Sequence, residues 1–570
     1  MRAHRWSLLL AALVSLPSLF GGFVIDDWVH HAILRGVFPL TTWWDLFNFA
    51  PGDAEKLAPF ITSGALPWFT LPALKIHFLR PLASALIAFD FWAFGAHAWA
   101  AHLHSVLWYL GLVAVANALY RRLVPKWALL AGLLFCIDDA HVLPVGWLAN
   151  RNSLMAVLFV WLGLLAHLKW REDGWRAGRW LSVLAFLAGL SAGETAVSAL
   201  AYVAAYELAG RSEAPGVRLR ALTGAGFALV AFACLYVLGR CGASGSATYV
   251  DPLRETLAWL QVAPVRGLAM LGGWTFAISP DAWVILPRAR PVLLLAGALA
   301  LAVWPACWRA IAPDDPAQRR TLRWLCLGAG VALLPGLATF PANRLLLAPS
   351  LGLAALIAAV LRRAWQERAR LRGKLVLAWC LAAFCLEPLS AWVATPLLLR
   401  SWGGAVADAL LAPGAPDLTG RVILLTSSDL VPALFSSAIL SEHGRPMPKT
   451  WHSISQAPHA HRLTRTGARR LELEVLGGHL LETVFEQNVR SDAHPFAVGD
   501  VVWLEGLSVT VLELEAGCPR RLALDFSRPL EDFEFVRWAG LELLRVTLPP
   551  PGEQLELAQT PTVFEALVTP

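Results

Sequence analysis

Residues 98–119, AWAAHLHSVLWYLGLVAVANAL, run for 22 positions without a Lys, Arg, Asp or Glu. A helix needs about 20 predominantly apolar residues to cross the hydrocarbon core of a bilayer. Comparable runs lie near 127–147, 153–168, 179–194, 195–210, 221–239, 291–308, 324–341, 345–361 and 375–396. The run 179–210 is long enough for two helices and divides at Gly193 and Glu194. The N-terminal MRAHRWSLLLAALVSLPSLFGGF has the basic start and apolar middle of a signal peptide but no clear small-x-small cleavage site, and reads as an uncleaved first span. The expectation is an α-helical polytopic membrane protein of about eleven transmembrane helices.

Composition agrees. Of 570 residues, 57% are hydrophobic and 15% charged, and the mean hydropathy is +0.55. A soluble domain carries about 25% charged residues, so a disordered chain, a coiled coil and an ordinary cytosolic enzyme are excluded. Residues 1–400 hold 34 Lys+Arg and 20 Asp+Glu, a balance of +14; residues 401–570 hold 13 and 21, a balance of −8. The basic residues sit in short clusters between apolar runs, which is a topology signal and not a nucleic-acid footprint. No nucleic-acid partner is expected. With the N-terminus in the cytoplasm, 22 of those 34 basic residues fall in short cytoplasmic loops, and the tail lies outside. Most of the eight cysteines lie in apolar runs and no CxxC pair occurs, so neither a disulfide framework nor a zinc site is indicated.

Two long outer segments follow. Residues 26–97, rich in Trp, Phe and Pro, read as amphipathic helices on the membrane surface; residues 240–290 contain an apolar stretch interrupted by Pro264 and Arg266 that reads as a surface or re-entrant helix, or as two further spans. The tail changes character. GRVILLTSSDLVPALFSSAIL (420–440) reads as strand then helix, and short alternating segments follow, separated by Gly, Pro and Asp. The expected division is a membrane domain over 1–400 and a soluble, β-rich α+β domain over 401–570.

Ionisable groups at membrane depth are costly and are functional candidates for that reason. Asp26 and Asp27 follow the first span in FVIDDWVHH, with His30 one turn on. Adjacent carboxylates there suit a general base or a divalent-metal ligand; they suit equally an acidic helix N-terminus. Arg80 precedes a Pro-started helix and suits a phosphate; a snorkelling interfacial Arg is the plainer alternative. Asp138, Asp139 and His141 lie at the end of an apolar run, with Asn150, Arg151 and Asn152 in the next turn. Glu194 and Arg344 occupy two further turns. All map to one face of the membrane.

These motifs, in this order, resemble the multi-spanning glycosyltransferases of the GT-C fold, in particular bacterial relatives of the O-mannosyltransferases with a tetratricopeptide tail. The likeness is carried by FVIDDW, FLRPLASALIAFDFWAFGAHAWAAHLHSVL, HVLPVGWLANRNSLMAVLF, AGETAVSALAYVAAYEL and NRLLLAPSLGLAALIA, over residues 1 to about 365. The resemblance implies transfer of a sugar from a polyprenyl-phosphate donor to an acceptor hydroxyl, on a glycan or a protein, at the outer face of a bacterial inner membrane. It implies Asp26 or Asp27 as the catalytic acid residue, Arg80, Arg151 and Arg344 on the donor phosphate, and His30, Asp138, Asp139, His141 and Glu194 lining the cavity. It requires no cofactor, and a divalent metal at Asp26 and Asp27 is the one it leaves room for. The chain departs from the family in having Gly193 where a Lys precedes the Glu, and in its β-rich tail. A lipid-linked glycan polymerase or ligase has many spans too, but usually no acidic pair after the first; a transporter would show repeated halves, and none is present.

Overall fold

The computed structural model describes residues 2–38, 40–311 and 315–568. Among them, five helices are long and apolar enough to cross a membrane: Ala98–Leu123, Leu148–Asp173, Pro287–Ile311, Pro316–Ala338 and Leu371–Leu411. Two bent pairs bring the number to seven, Ala128–Ile137 with Asp139–Gly146 (49°) and Pro215–Ala221 with Thr223–Leu238 (46°). The expected runs at the N-terminus and at 179–194 are the shorter helices Arg5–Phe20 and Ala177–Ala192. Those at 195–210 and 345–361 are built on Thr195–Ala205 and Ser350–Gln366. The count of eleven full-length spans is therefore not reproduced. The helices built on 195–205 and 350–366 are largely buried, whereas that at Ala177–Ala192 is partly exposed and only 16 residues long. Residues 256–276, expected to lie on the surface or re-enter, form one continuous helix despite Pro264.

Both ends of this bundle carry ionisable groups. At one end Arg122 pairs with Glu172 and Asp173, and buried Glu207 accepts from His167 and Arg171 at 2.8 Å each. The helices that begin at Ala98 and Arg151 start from the opposite end, where the turns carrying Asp27, Arg80, Glu194 and Arg344 also lie.

Among the described residues, thirteen strands cover that opposite end. β1 (Asn48–Pro51), β2 (Lys75–His77) and β3 (Gly242–Ser244) form one antiparallel sheet. β4 (Arg421–Thr426) runs parallel to both β5 (Thr450–Ser455) and β11 (Phe533–Ala539), with β12 (Glu542–Arg545) antiparallel at the edge. The remaining strands form a six-stranded antiparallel sheet. They are β6 (Ala460–Arg465), β7 (Arg470–Leu476), β8 (Val501–Leu504), β9 (Leu507–Glu515), β10 (Cys518–Phe526) and β13 (Gln554–Leu557). Strict alternation in RLELEVL puts Leu471, Leu473 and Val475 inside β7 and its charges outside.

The tail does not pack on its own. Ala50, Leu57, Ile61, Trp68, Phe69 and Ile76 of the first outer segment share one core with Ile423, Ile454, Leu473, Val509 and Leu524 of the tail. Trp68 Nε1 donates to the Ile454 carbonyl at 2.8 Å, and Arg490 Nε to the Phe69 carbonyl at 2.7 Å. Residues 26–97 are thus partly a layer of the β region, and not only surface helices. A run too short to span, such as LPWFTL, meets water on neither side when a second segment covers it. The last helix continues to Leu411, beyond the expected boundary at 400, and Val406, Ala407 and Leu410 join a core with Val422 and Ile439.

Deleting residues 412–570 uncovers the half-core left in the first outer segment. Limited proteolysis in detergent is expected to cut within 40–78 in the truncated chain and to spare this region in the full chain.

Candidate active site

The turn FVIDD places its two carboxylates in opposite ways. Ile25 precedes the helix Asp26–Leu34 with φ +46° and ψ −111°, a conformation that strains a β-branched residue. Beyond this kink Asp27 folds back. Its Oδ2 accepts from Val24 N at 3.1 Å and its Oδ1 from Ala149 N at 2.8 Å. Both oxygens are taken up in tying the first turn to the turn at Leu148–Asn150. Asp26 points the other way. Its carboxylate makes no hydrogen bond or ion pair among the described residues, and the charges that act on it are those of Arg344 and Arg80. Burial lifts Asp26 to about 6 against the pull of those two cations. Asp27 rises to about 7 by burial, its two amide bonds pulling downward.

Arg80 and Arg344 lie on aromatic platforms. Arg80 has Phe47 and Phe78 beneath its guanidinium at 4.8 and 4.6 Å, and Arg344 has Trp147 and Phe340 at 5.3 and 5.8 Å. A flat cation stacked in this way keeps its edge N–H groups for an oxyanion. Arg80 Nε donates to Glu194 Oε2 at 2.8 Å. Arg344 pairs with no carboxylate within 4 Å among the described residues. Gly193 stands where the resembling family has a Lys, and a Cβ there would meet Asn152 Nδ2 at 2.7 Å. The cation beside Glu194 comes instead from Arg80, across the chain.

Other expected site residues lie elsewhere. Arg151 is 1% exposed and ion-paired with Asp90, which also accepts from His104 Nδ1 at 2.6 Å. This corrects the expectation of a phosphate ligand: the guanidinium is already spent on a buried partner. His141 is fully buried against Phe135 and Tyr109, with Nε2 3.3 Å from Ser350 Oγ, so it belongs to the helix core and not to a cavity wall. His30 packs between Phe47 and Phe49, and burial lowers it to about 3, which keeps it neutral. Asp138 and Asp139 line a cleft shared with Glu387, Asn343 and Ser279. Asn343 links it to the site by donating to Asp139 beside Arg344.

A divalent metal does not fit Asp26 and Asp27. Asp27 has both oxygens engaged by N–H donors, and no group of three or more His, Cys, Asp and Glu suited to a metal occurs among the described residues.

Tyr249 was not legible as a site residue. It packs edge-on to Phe78 at 5.3 Å, and Arg344, Asp26, Arg80 and Glu194 all act on its hydroxyl. The one available signal was rarity, as the chain has only six tyrosines.

No family model matches the chain, and no curated protein matches it. Among solved structures, ArnT from Cupriavidus metallidurans bound to undecaprenyl phosphate is similar over 78% of this chain and 84% of its own, at 13% identity and a TM-score of 0.42. The same protein in the apo state is similar over 78% and 86%, at 17% identity and a TM-score of 0.35.

The two carboxylates separate by stability. Asp27→Asn leaves one converging N–H without an acceptor, a loss of about 1–3 kcal/mol, whereas Asp26→Asn leaves none. Arg151→Met leaves the buried Asp90 with His104 as its one remaining partner among the described residues, a loss of up to about 3–5 kcal/mol. Thermal unfolding in detergent is expected to show lower Tm for Asp27→Asn and lower still for Arg151→Met, with Asp26→Asn at or above wild type.

Proposed function

We propose that the chain is a membrane glycosyltransferase of GT-C type, moving a sugar from a polyprenyl-phosphate donor to an acceptor hydroxyl. The observation that carries this reading is Asp26, a carboxylate without a protein partner, facing two aromatic-stacked guanidiniums at the covered end of the helix bundle. A base and a phosphate clamp, close together at the edge of an apolar bundle, suit a donor whose tail lies in lipid and whose sugar–phosphate bond is to be broken.

In this reading the acceptor hydroxyl gives its proton to Asp26 as its oxygen bonds to the anomeric carbon. The bond from that carbon to the phosphate oxygen breaks, and its electron pair leaves with the lipid phosphate. Attack opposite the leaving group inverts the anomeric centre. Arg344 and Arg80 stabilise the charge that grows on the phosphate oxygen, and Glu194 holds Arg80 in place. The kink at Ile25 and the two bonds of Asp27 position the base. Holding donor and acceptor together supplies much of the remaining acceleration. Which sugar and which hydroxyl are joined depends on walls that include Tyr249 and the β layer.

The decisive experiment is transfer of radiolabelled sugar from polyprenyl-phosphate donors by the purified chain in lipid. Asp26→Asn is expected to lower kcat about 10²- to 10⁴-fold, the usual worth of a general base, without loss of folding. Full transfer by folded Asp26→Asn would sink the reading.

The acid limb of the rate profile supplies a second check. Asp26 accepts a proton only when ionised, so kcat/KM is expected to fall about tenfold per pH unit below about 6. Arg344→Gln removes a charge that favours the carboxylate, so the limb should move to higher pH. A limb that stays in place in this variant would assign it to another group.

A further inference from the structure

Beside Arg80, the three-stranded sheet presents a second group of cations. Ala50 and Ile76 point from one face of the sheet into the core shared with the tail, so Lys75 and His77 point from the other. His77 is matched: its Nε2 lies 2.9 Å from Asp45 Oδ1. Lys75 is not. It is 9% exposed, and its ammonium has no hydrogen bond or ion pair among the described residues. Its stem lies over Gly52, where a Cβ would come within 3.2–3.3 Å of three of its side-chain carbons. Gly52, at φ +76°, thus leaves the room in which this Lys is laid down.

The charges nearest Lys75 are mostly of its own sign. Arg254 and Arg240 act on it together with Asp251, and burial and Arg254 lead in holding its ammonium below the usual lysine range. Arg254 Nε is 3.8 Å from Asp251 Oδ2, half-exposed at the rim. Arg240 is held at φ +52° just after the helix Thr223–Leu238. Of the carboxylates here, Asp251 is paired with Arg254, Asp45 is bonded to His77 and Glu194 to Arg80. Lys75 has no carboxylate within 4 Å of its ammonium among the described residues, and an anion would complete the set. The cluster adjoins the site through the chain: β2 ends at His77, and the next residue, Phe78, lies against the Arg80 guanidinium at 4.6 Å. All three cations belong to the β layer and its connecting loop, and none to the helices that would flank a lipid tail.

We propose that Lys75, Arg240 and Arg254 form a pocket for an oxyanion, phosphate or carboxylate, carried by the sugar acceptor, beside the donor phosphate position at Arg80 and Arg344. The word acceptor rests on the transfer reading above; the anion pocket does not. An anion held there would anchor the acceptor on the side of the β layer and leave its hydroxyl free to approach Asp26.

The test is equilibrium binding to the full chain in a maltoside detergent without phospholipid. The probes are glucose 6-phosphate and glucuronate, with glucose as the neutral control and farnesyl phosphate as a soluble lipid phosphate. At least one sugar anion is expected to bind saturably where glucose does not, and the better of the two identifies phosphate or carboxylate as the group taken. Lys75→Met and Arg254→Gln should each weaken it at least tenfold. Lys75→Arg should keep it within threefold, which separates loss of charge from loss of fold. Farnesyl phosphate should bind Lys75→Met within twofold of wild type. Equal binding of glucose and both anions, or unchanged affinity in Lys75→Met and Arg254→Gln, overturns the pocket. A tenfold loss of farnesyl phosphate in Lys75→Met places the cluster in the donor site and overturns the acceptor assignment. No transfer is measured, so failure here is distinct from failure of the Asp26→Asn experiment.

Discussion

The two amide bonds accepted by Asp27 hold together what the rest of the molecule uses. One reaches back across the kink to Val24, and the other crosses to Ala149, at the start of the helix that carries Arg151. They join the first turn of the chain to a turn more than a hundred residues later. The helix Asp26–Leu34 is then gripped from outside. Trp28 lies in a core with Val406 and Phe435, and Arg35 Nη1 donates to the Ser441 carbonyl at 2.8 Å. Bundle and β layer are thereby coupled through the helix that bears the candidate base. Asp26 is left with no protein partner because its neighbour does the holding.

The cations and carboxylates at this end divide by burial. Arg151 and Asp90 are nearly sealed and satisfy each other, so they fasten two helices. Arg80 and Glu194 are paired but partly exposed, with side chains 20% and 28% exposed. Arg344 is stacked on rings and has no counter-ion within 4 Å. A charge fully removed from water must be matched within the protein, whereas one at a cavity edge can wait for a ligand. The same rule explains why Asp26 titrates near neutrality: burial disfavours its charge and two cations restore part of it.

Much of this was open to reading in the chain itself. Runs such as 98–119 are decided by local composition, so the apolar helices at 98–123 and 371–411 follow from hydropathy alone. The alternation in RLELEVL likewise marks a strand with one wet face. The convergence of Asp26, Arg80, Glu194 and Arg344 at one end follows from the spacing of those runs, because each helix returns the chain to the same level. What hydropathy does not distinguish is lipid from protein as the surroundings of an apolar helix, and the count of eleven spans is not confirmed: among the described residues five helices, or seven with the bent pairs, are long and apolar enough to cross. It also treats 26–97 as lying on a membrane, when its Trp68, Phe69 and Ile76 are buried under tail strands some 400 positions away.

Residue chemistry alone likewise made Asp26 and Asp27 equivalent, and Arg80, Arg151 and Arg344 interchangeable. Their roles part only through contacts distant in sequence: Ala149 for Asp27, Asp90 for Arg151, the aromatic platforms for Arg80 and Arg344. Lys75 and Tyr249 carried no motif at all. Which turns contain ionisable groups was thus determined by the sequence, because hydropathy and charge are local properties of a chain. Which of those groups remain free for chemistry was decided by the tertiary structure alone, because a charge or a donor is used up by whatever partner the fold brings to it.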